Sequence, residues 1–70
     1  MNEKEILAKI VENIRIERLR KKLTQEKLAE EVGITQKYVN LIENGKANPS
    51  IIIVVKICNA LKIDLNSLLN

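Results

Sequence analysis

Residues 24 to 46, TQEKLAEEVGITQKYVNLIENGK, run twice through one order: a threonine, a short stretch with apolar residues at helical spacing, and a glycine. Thr24 and Thr35 are each suited to cap a helix, because a hydroxyl there accepts from the amides that the first turn leaves unpaired. After Thr24, the residues Leu28, Ala29 and Val32 share one helical face. Gly33 follows, where a left-handed backbone ends a helix without a Cβ penalty. After Thr35, Val39 and Ile42 mark a second buried face, and Gly45 ends that helix. Ala29 is small at a point where two helices crossing steeply leave little room. These marks admit few folds. They describe two short helices joined by a tight turn over about 25–44.

That layout is a helix-turn-helix, whose second helix is offered to the major groove of DNA. Three stretches extend it: LTQEKLAEEVGIT, the IENGKANPS run from Ile42 to Ser50, and KICNALKI from Lys56 to Ile63. In these the chain resembles the lambda-repressor-like (Xre/Cro) family of DNA-binding domains, over about Ile14 to Leu69. The combination is specific, where a lone TQxxLA is weak. The resemblance implies that Gln25, opening the first helix of the motif, contacts a phosphate and buttresses Gln36. It also points to small autoregulatory proteins, phage Cro-like repressors or the controller proteins of restriction–modification systems, as similar in size and organisation.

Seventy residues make a single domain, 1–70, near the lower limit for a core that is stable alone. The length leaves no room for a ligand-sensing domain, so no small-molecule effector is expected. A chain this short and 46% hydrophobic can gain stability by associating with itself. The single Cys58 rules out an internal disulfide and suits a reducing cytosol, where it packs in the core, with redox sensing as the lesser reading. No apolar run approaches a membrane span and MNEKEIL lacks a signal-peptide pattern, so a cytoplasmic protein is expected. There is no histidine, no carboxylate cluster at metal spacing and no serine beside a base, so no enzyme, metal or cofactor is expected.

Twelve basic against nine acidic residues leave a net charge of +3, too small to identify a partner. Their distribution says more. Arg15, Arg18, Arg20, Lys21 and Lys22 crowd together just before the motif, opposed there only by Glu17. They read either as a solvated helix end suited to the C-terminal dipole or, beside a helix-turn-helix, as phosphate contacts, with Arg20 and Lys22 the candidates.

Residues 3 to 21 read as a first helix with Ile6, Leu7, Ile10, Val11 and Ile14 on one stripe. Arg18 falls inside that stripe, and a buried arginine needs a partner. Glu43, four residues after Val39 on the inward face of its helix, offers one; the alternative is that both side chains reach solvent independently. Such a pair is common in the family that the chain resembles. Residues 51 to 61, IIIVVKICNAL, have the composition of a strand. The Pro49-Ser50 start and the spacing of Ile51, Val54, Ile57, Cys58 and Leu61 favour a helix instead, and no partner strand exists elsewhere. A last short helix over about 64–69, capped by Asp64, completes a compact all-α domain of five helices.

Opposite Val39 and Ile42, the 36–44 helix shows Lys37, Asn40, Leu41 and Asn44, with Gln36 at its N-terminal end. None is acidic. Gln and Asn can pair bidentately with adenine and Lys can donate to guanine, so Gln36, Lys37 and Asn40 are the expected base readers. Leu41 is either a contact for a thymine methyl or a stray surface leucine. Thr35, Tyr38, Asn44 and Lys46 join Gln25 as candidate phosphate contacts. Tyr38 is the only aromatic residue, which leaves no stacking platform for single strands, so the expected partner is double-stranded DNA. Ile52, Ile53 and Val55 are left over from the inward stripe of their helix, and with Leu65, Leu68 and Leu69 they form either a dimer interface or a locally wider core. The expectation is a homodimeric, sequence-specific regulator of transcription on a two-fold operator. An antitoxin whose patch faces a toxin, and a protein-interaction module of the same fold, are the alternatives.

Overall fold

Four polar side chains start the helices. Asn2, Thr24, Thr35 and Ser50 lie in extended backbone, and each accepts from the amide three residues on: Glu5 at 2.9 Å, Lys27 at 3.0 Å, Tyr38 at 3.0 Å and Ile53 at 3.2 Å. A cap of this kind contributes about 1 kcal/mol. The computed structural model, which describes residues 1–70, has α1 at Glu3–Arg20, α2 at Gln25–Val32, α3 at Gln36–Glu43 and α4 at Ile51–Leu61, with a 3-10 turn at Leu65–Leu68.

The helix ends are equally uniform. Each is followed by a left-handed residue, Lys22, Gly33, Gly45 or Lys62. The next amide in each case returns to the carbonyl five residues back: Leu23 to Arg18, Ile34 to Ala29, Lys46 to Leu41 and Ile63 to Cys58. This closure satisfies carbonyls that the helix leaves free, and it usually brings an apolar contact with it. Leu23, Ile34 and Ile63 supply that contact, each packed against the core. Chain reversal and burial are therefore coupled at three of the four ends.

The core draws on every element: Val11 and Ile14 from α1, Leu28, Ala29 and Val32 from α2, Val39 and Ile42 from α3, Val54, Ile57, Cys58 and Leu61 from α4, and Leu68. The strand-like composition of α4 does not prevail. Its Ser50 cap and its buried stripe hold the helix, and no strand occurs in the structure. Burial pushes the Cys58 thiol above its ordinary value, and the nearby Asp64 carboxylate adds to the rise. A thiol held protonated in this way is a poor nucleophile.

Three expectations need correction. The expected fifth helix is a single 3-10 turn, and the Asp64 side chain does not cap it; instead Ser67 N–H donates to the Asp64 carbonyl at 2.9 Å. Leu68, expected at a dimer surface, is fully buried (0% exposed), because that turn directs it inward while Leu65 and Leu69 stay exposed. The Asn13 amide fixes the turn on α1 by donating to the carbonyls of Leu68 at 2.8 Å and Asn70 at 3.1 Å. Finally, the apolar stripes of α1 and α4 are narrower at their starts than expected: Ile6 and Ile51 are exposed. Ile51 is the first residue of α4 and borders an open groove of about 290 Å³, lined also by Leu7, Ile10, Val54, Leu65 and Leu69.

Candidate nucleic-acid interface

Ala29, 3% exposed, lets α2 and α3 pack closely behind their shared turn. Behind α3 lies a buried ion pair. Arg18 Nε donates to Glu43 Oε2 at 2.7 Å and Arg18 Nη2 donates to Glu43 Oε1 at 3.0 Å. The third nitrogen, Nη1, donates to the Leu23 carbonyl at 2.7 Å, in the segment that leads into α2. One guanidinium thus ties α1 both to α3 and to the approach to α2. Two-point pairing of this geometry is the strong form of the interaction. No buried side-chain nitrogen or oxygen lacks a partner.

A chain of amides continues outward from the pair. Gln25 Nε2 donates to Glu43 Oε1 at 3.1 Å, Asn40 Nδ2 donates to Gln25 Oε1 at 3.3 Å, and Asn44 Nδ2 donates to Asn40 Oδ1 at 3.1 Å. The expected buttress from Gln25 to Gln36 is absent: the Gln25 amide is turned to Glu43 and Asn40 instead. Nothing in the sequence marks Gln25 and Asn40 as neighbours. Their contact depends on how α2 and α3 cross.

Gln36, Lys37, Asn40 and Asn44 are exposed, as is Lys46 just beyond the helix. Leu41 is half-buried rather than exposed, since it flanks Ile42 on the edge of the inward arc. Tyr38 is half-buried with its ring against the core. The Thr35 oxygen accepts from Tyr38 N–H, which leaves its own hydrogen free to donate. Arg20 is exposed but pairs with Glu17 at 3.0 Å, and Lys22 is exposed at its left-handed position. Glu43 is the one acidic residue of α3, and its charge is turned inward onto Arg18. The outer side of α3 therefore carries amides and one cation, with no anion. No group of three His, Cys, Asp or Glu residues is placed to hold a metal ion, and no helix is long and apolar enough to cross a membrane.

The helix-turn-helix family model (HTH_3) matches residues 14–68. An uncharacterised HTH-type transcriptional regulator of Bacillus subtilis, YgzD, is 43% identical over 42 residues, which cover 60% of this chain and 64% of that protein. Another from Methanothermobacter thermautotrophicus is 46% identical over 39 residues, 56% of each chain. The chain thus spans less than two thirds of the length of these curated relatives. Among solved structures, the restriction–modification controller protein C.AhdI from Aeromonas hydrophila superposes with a TM-score of 0.84 at 35% identity, covering 89% of this chain and 94% of that one. The hypothetical transcription factor NHTF from Neisseria gives 0.88 at 28% identity, over 100% of this chain and 80% of that one. The clp gene regulator ClgR from Corynebacterium glutamicum, at 23% identity and a TM-score of 0.87 over 91% of this chain and 68% of its own, shares the fold.

Proposed function

The chain belongs to the lambda-repressor-like (Xre/Cro) helix-turn-helix family, and on that premise we propose that it is a sequence-specific regulator of transcription. It binds double-stranded DNA as a homodimer, with α3 in the major groove of each half of a two-fold operator. The observation that carries this reading is the outer side of α3, which is free of anions because its one carboxylate is turned inward. A surface that comes close to phosphates is favoured by that property.

In this reading Gln36, Lys37 and Asn40 meet base edges, because the first turns of a recognition helix go deepest into the groove. Leu41, at the margin of the same face, meets a thymine methyl. Gln25, Thr35, Tyr38, Asn44 and Lys46 hold the flanking phosphates, with Arg20 and Lys22 reaching backbone from the end of α1. The dimer forms through Ile52 and Val55 of α4 with Leu65 and Leu69, and Ile53 lies half-buried at its margin. Exposed apolar surface on a chain of this size supports that assignment. The likeness to C.AhdI, 35% identical over 94% of that chain, favours a controller-type, autoregulatory role. The work belongs to the cytoplasm and involves no catalysis.

Two lysines test the division of labour. Lys37→Ala is expected to relax preference at one base position, at a cost of about 1–3 kcal/mol. Lys46→Ala should weaken binding to all sequences alike and reduce the salt slope by about 0.9. Titration of operator variants over a range of salt separates the two. If Lys37→Ala left the preferred sequence unaltered, its role as a base reader would be lost.

A further inference from the structure

The amides between the buried ion pair and the outer side of α3 have a direction, and one buried charge sets it. A carboxylate only accepts hydrogen bonds. Glu43 Oε1 already takes Arg18 Nη2, so Gln25 has to present its Nε2 there, which it does at 3.1 Å. That turns Gln25 Oε1 toward Asn40. An amide oxygen also only accepts, so Asn40 must present Nδ2, at 3.3 Å. Its Oδ1 then faces Asn44, which must present Nδ2 in turn, at 3.1 Å. Reversing any one amide sets oxygen against oxygen or N–H against N–H along this chain.

An isolated asparagine can rotate its amide by half a turn and offer donor and acceptor in either order. Asn40 cannot do so without losing its bonds to both Gln25 and Asn44. Its Nδ2 keeps one hydrogen free and its Oδ1 one lone pair, and the residue is exposed. It therefore offers a ligand one donor and one acceptor in a fixed order. The base edge that matches such a pair is adenine, with its N6 amino donor beside its N7 acceptor. We propose that Glu43 and Gln25 are positioning residues that hold the Asn40 amide in one direction, so that Asn40 selects an adenine presented in one orientation in the major groove. This rests on the DNA-reading role of α3. It assigns specificity to Glu43, a residue only 9% exposed.

The test compares sequences selected from a random duplex library by the wild-type chain, Gln25→Met, Asn40→Ala and the double variant. Gln25→Met removes the amide at similar volume and leaves Arg18–Glu43 in place; circular dichroism verifies its fold. The wild type is expected to prefer adenine at one position by about tenfold or more, a preference that falls to about twofold or less in Gln25→Met. Asn40→Ala should lose the same position, and the double variant no more than that. A second measurement needs no variant: in the free protein, the side-chain amide protons of Asn40 and Asn44 should exchange more slowly than those of exposed Asn59.

Gln25→Met weakening all sequences equally with an intact motif would mean that Gln25 is only a phosphate contact, and would overturn the proposal. Equal amide exchange at Asn40, Asn44 and Asn59 would overturn it too. A wild type that recovers no motif at all would remove the DNA-reading role itself, and this inference with it.

Discussion

Glu43→Ala should lower the stability of the fold by about 3–5 kcal/mol. The loss does not equal the value of the ion pair, since taking both charges from water offsets much of their attraction. It arises because Arg18, 8% exposed, would be left as a buried charge with only the Leu23 carbonyl as a partner. A core of this size supplies roughly 3–5 kcal/mol in all, so the variant should be largely unfolded near room temperature. Replacing both residues, Arg18→Met with Glu43→Met, removes the unpaired charge and should recover most of the loss. Urea titration followed by circular dichroism measures both. An unchanged midpoint for Glu43→Ala would mean that the pair does not clamp α1 to α3.

Ile52→Asp is expected to leave the fold intact and separate the proposed dimer. Ile52 is 65% exposed, so a carboxylate there meets water in the monomer, whereas in the proposed dimer it would meet an apolar surface. Sedimentation should show the mass of one chain, and affinity for a two-fold site should fall by about a hundredfold or more, because two linked half-site contacts become independent ones. Leu68→Ala provides the contrast. That side chain is fully buried, so its truncation should cost about 2–5 kcal/mol, most of what the core supplies, and show as a lowered urea midpoint. If Ile52→Asp remained a dimer, the interface would lie elsewhere.

The features that depend on neighbouring residues were open to reading in the sequence. Thr24, Thr35 and Ser50 could be recognised as caps because a cap bonds to an amide only three residues away. Gly33 and Gly45 could be recognised as helix ends because glycine enters the left-handed region freely. Lys22 and Lys62 occupy that same region and carry no such mark. Arg18 stands out because a charge inside an apolar stripe needs a partner, and its guanidinium meets Glu43.

What escaped the sequence depends on angles between elements. Three leucines within five residues do not reveal that Leu68 is the one turned inward when the segment makes a single 3-10 turn. Ile51 fits the helical period of α4, yet at the first position of that helix it borders an open groove. The contact between Gln25 and Asn40 needs the crossing of α2 and α3, which no spacing encodes.

The most direct test of DNA reading by α3 is selection of bound sequences from a random duplex library at near-physiological salt. The expected result is a motif with two-fold symmetry, with half-sites about one helical turn apart. Recovery of sequences no different from the input would contradict it.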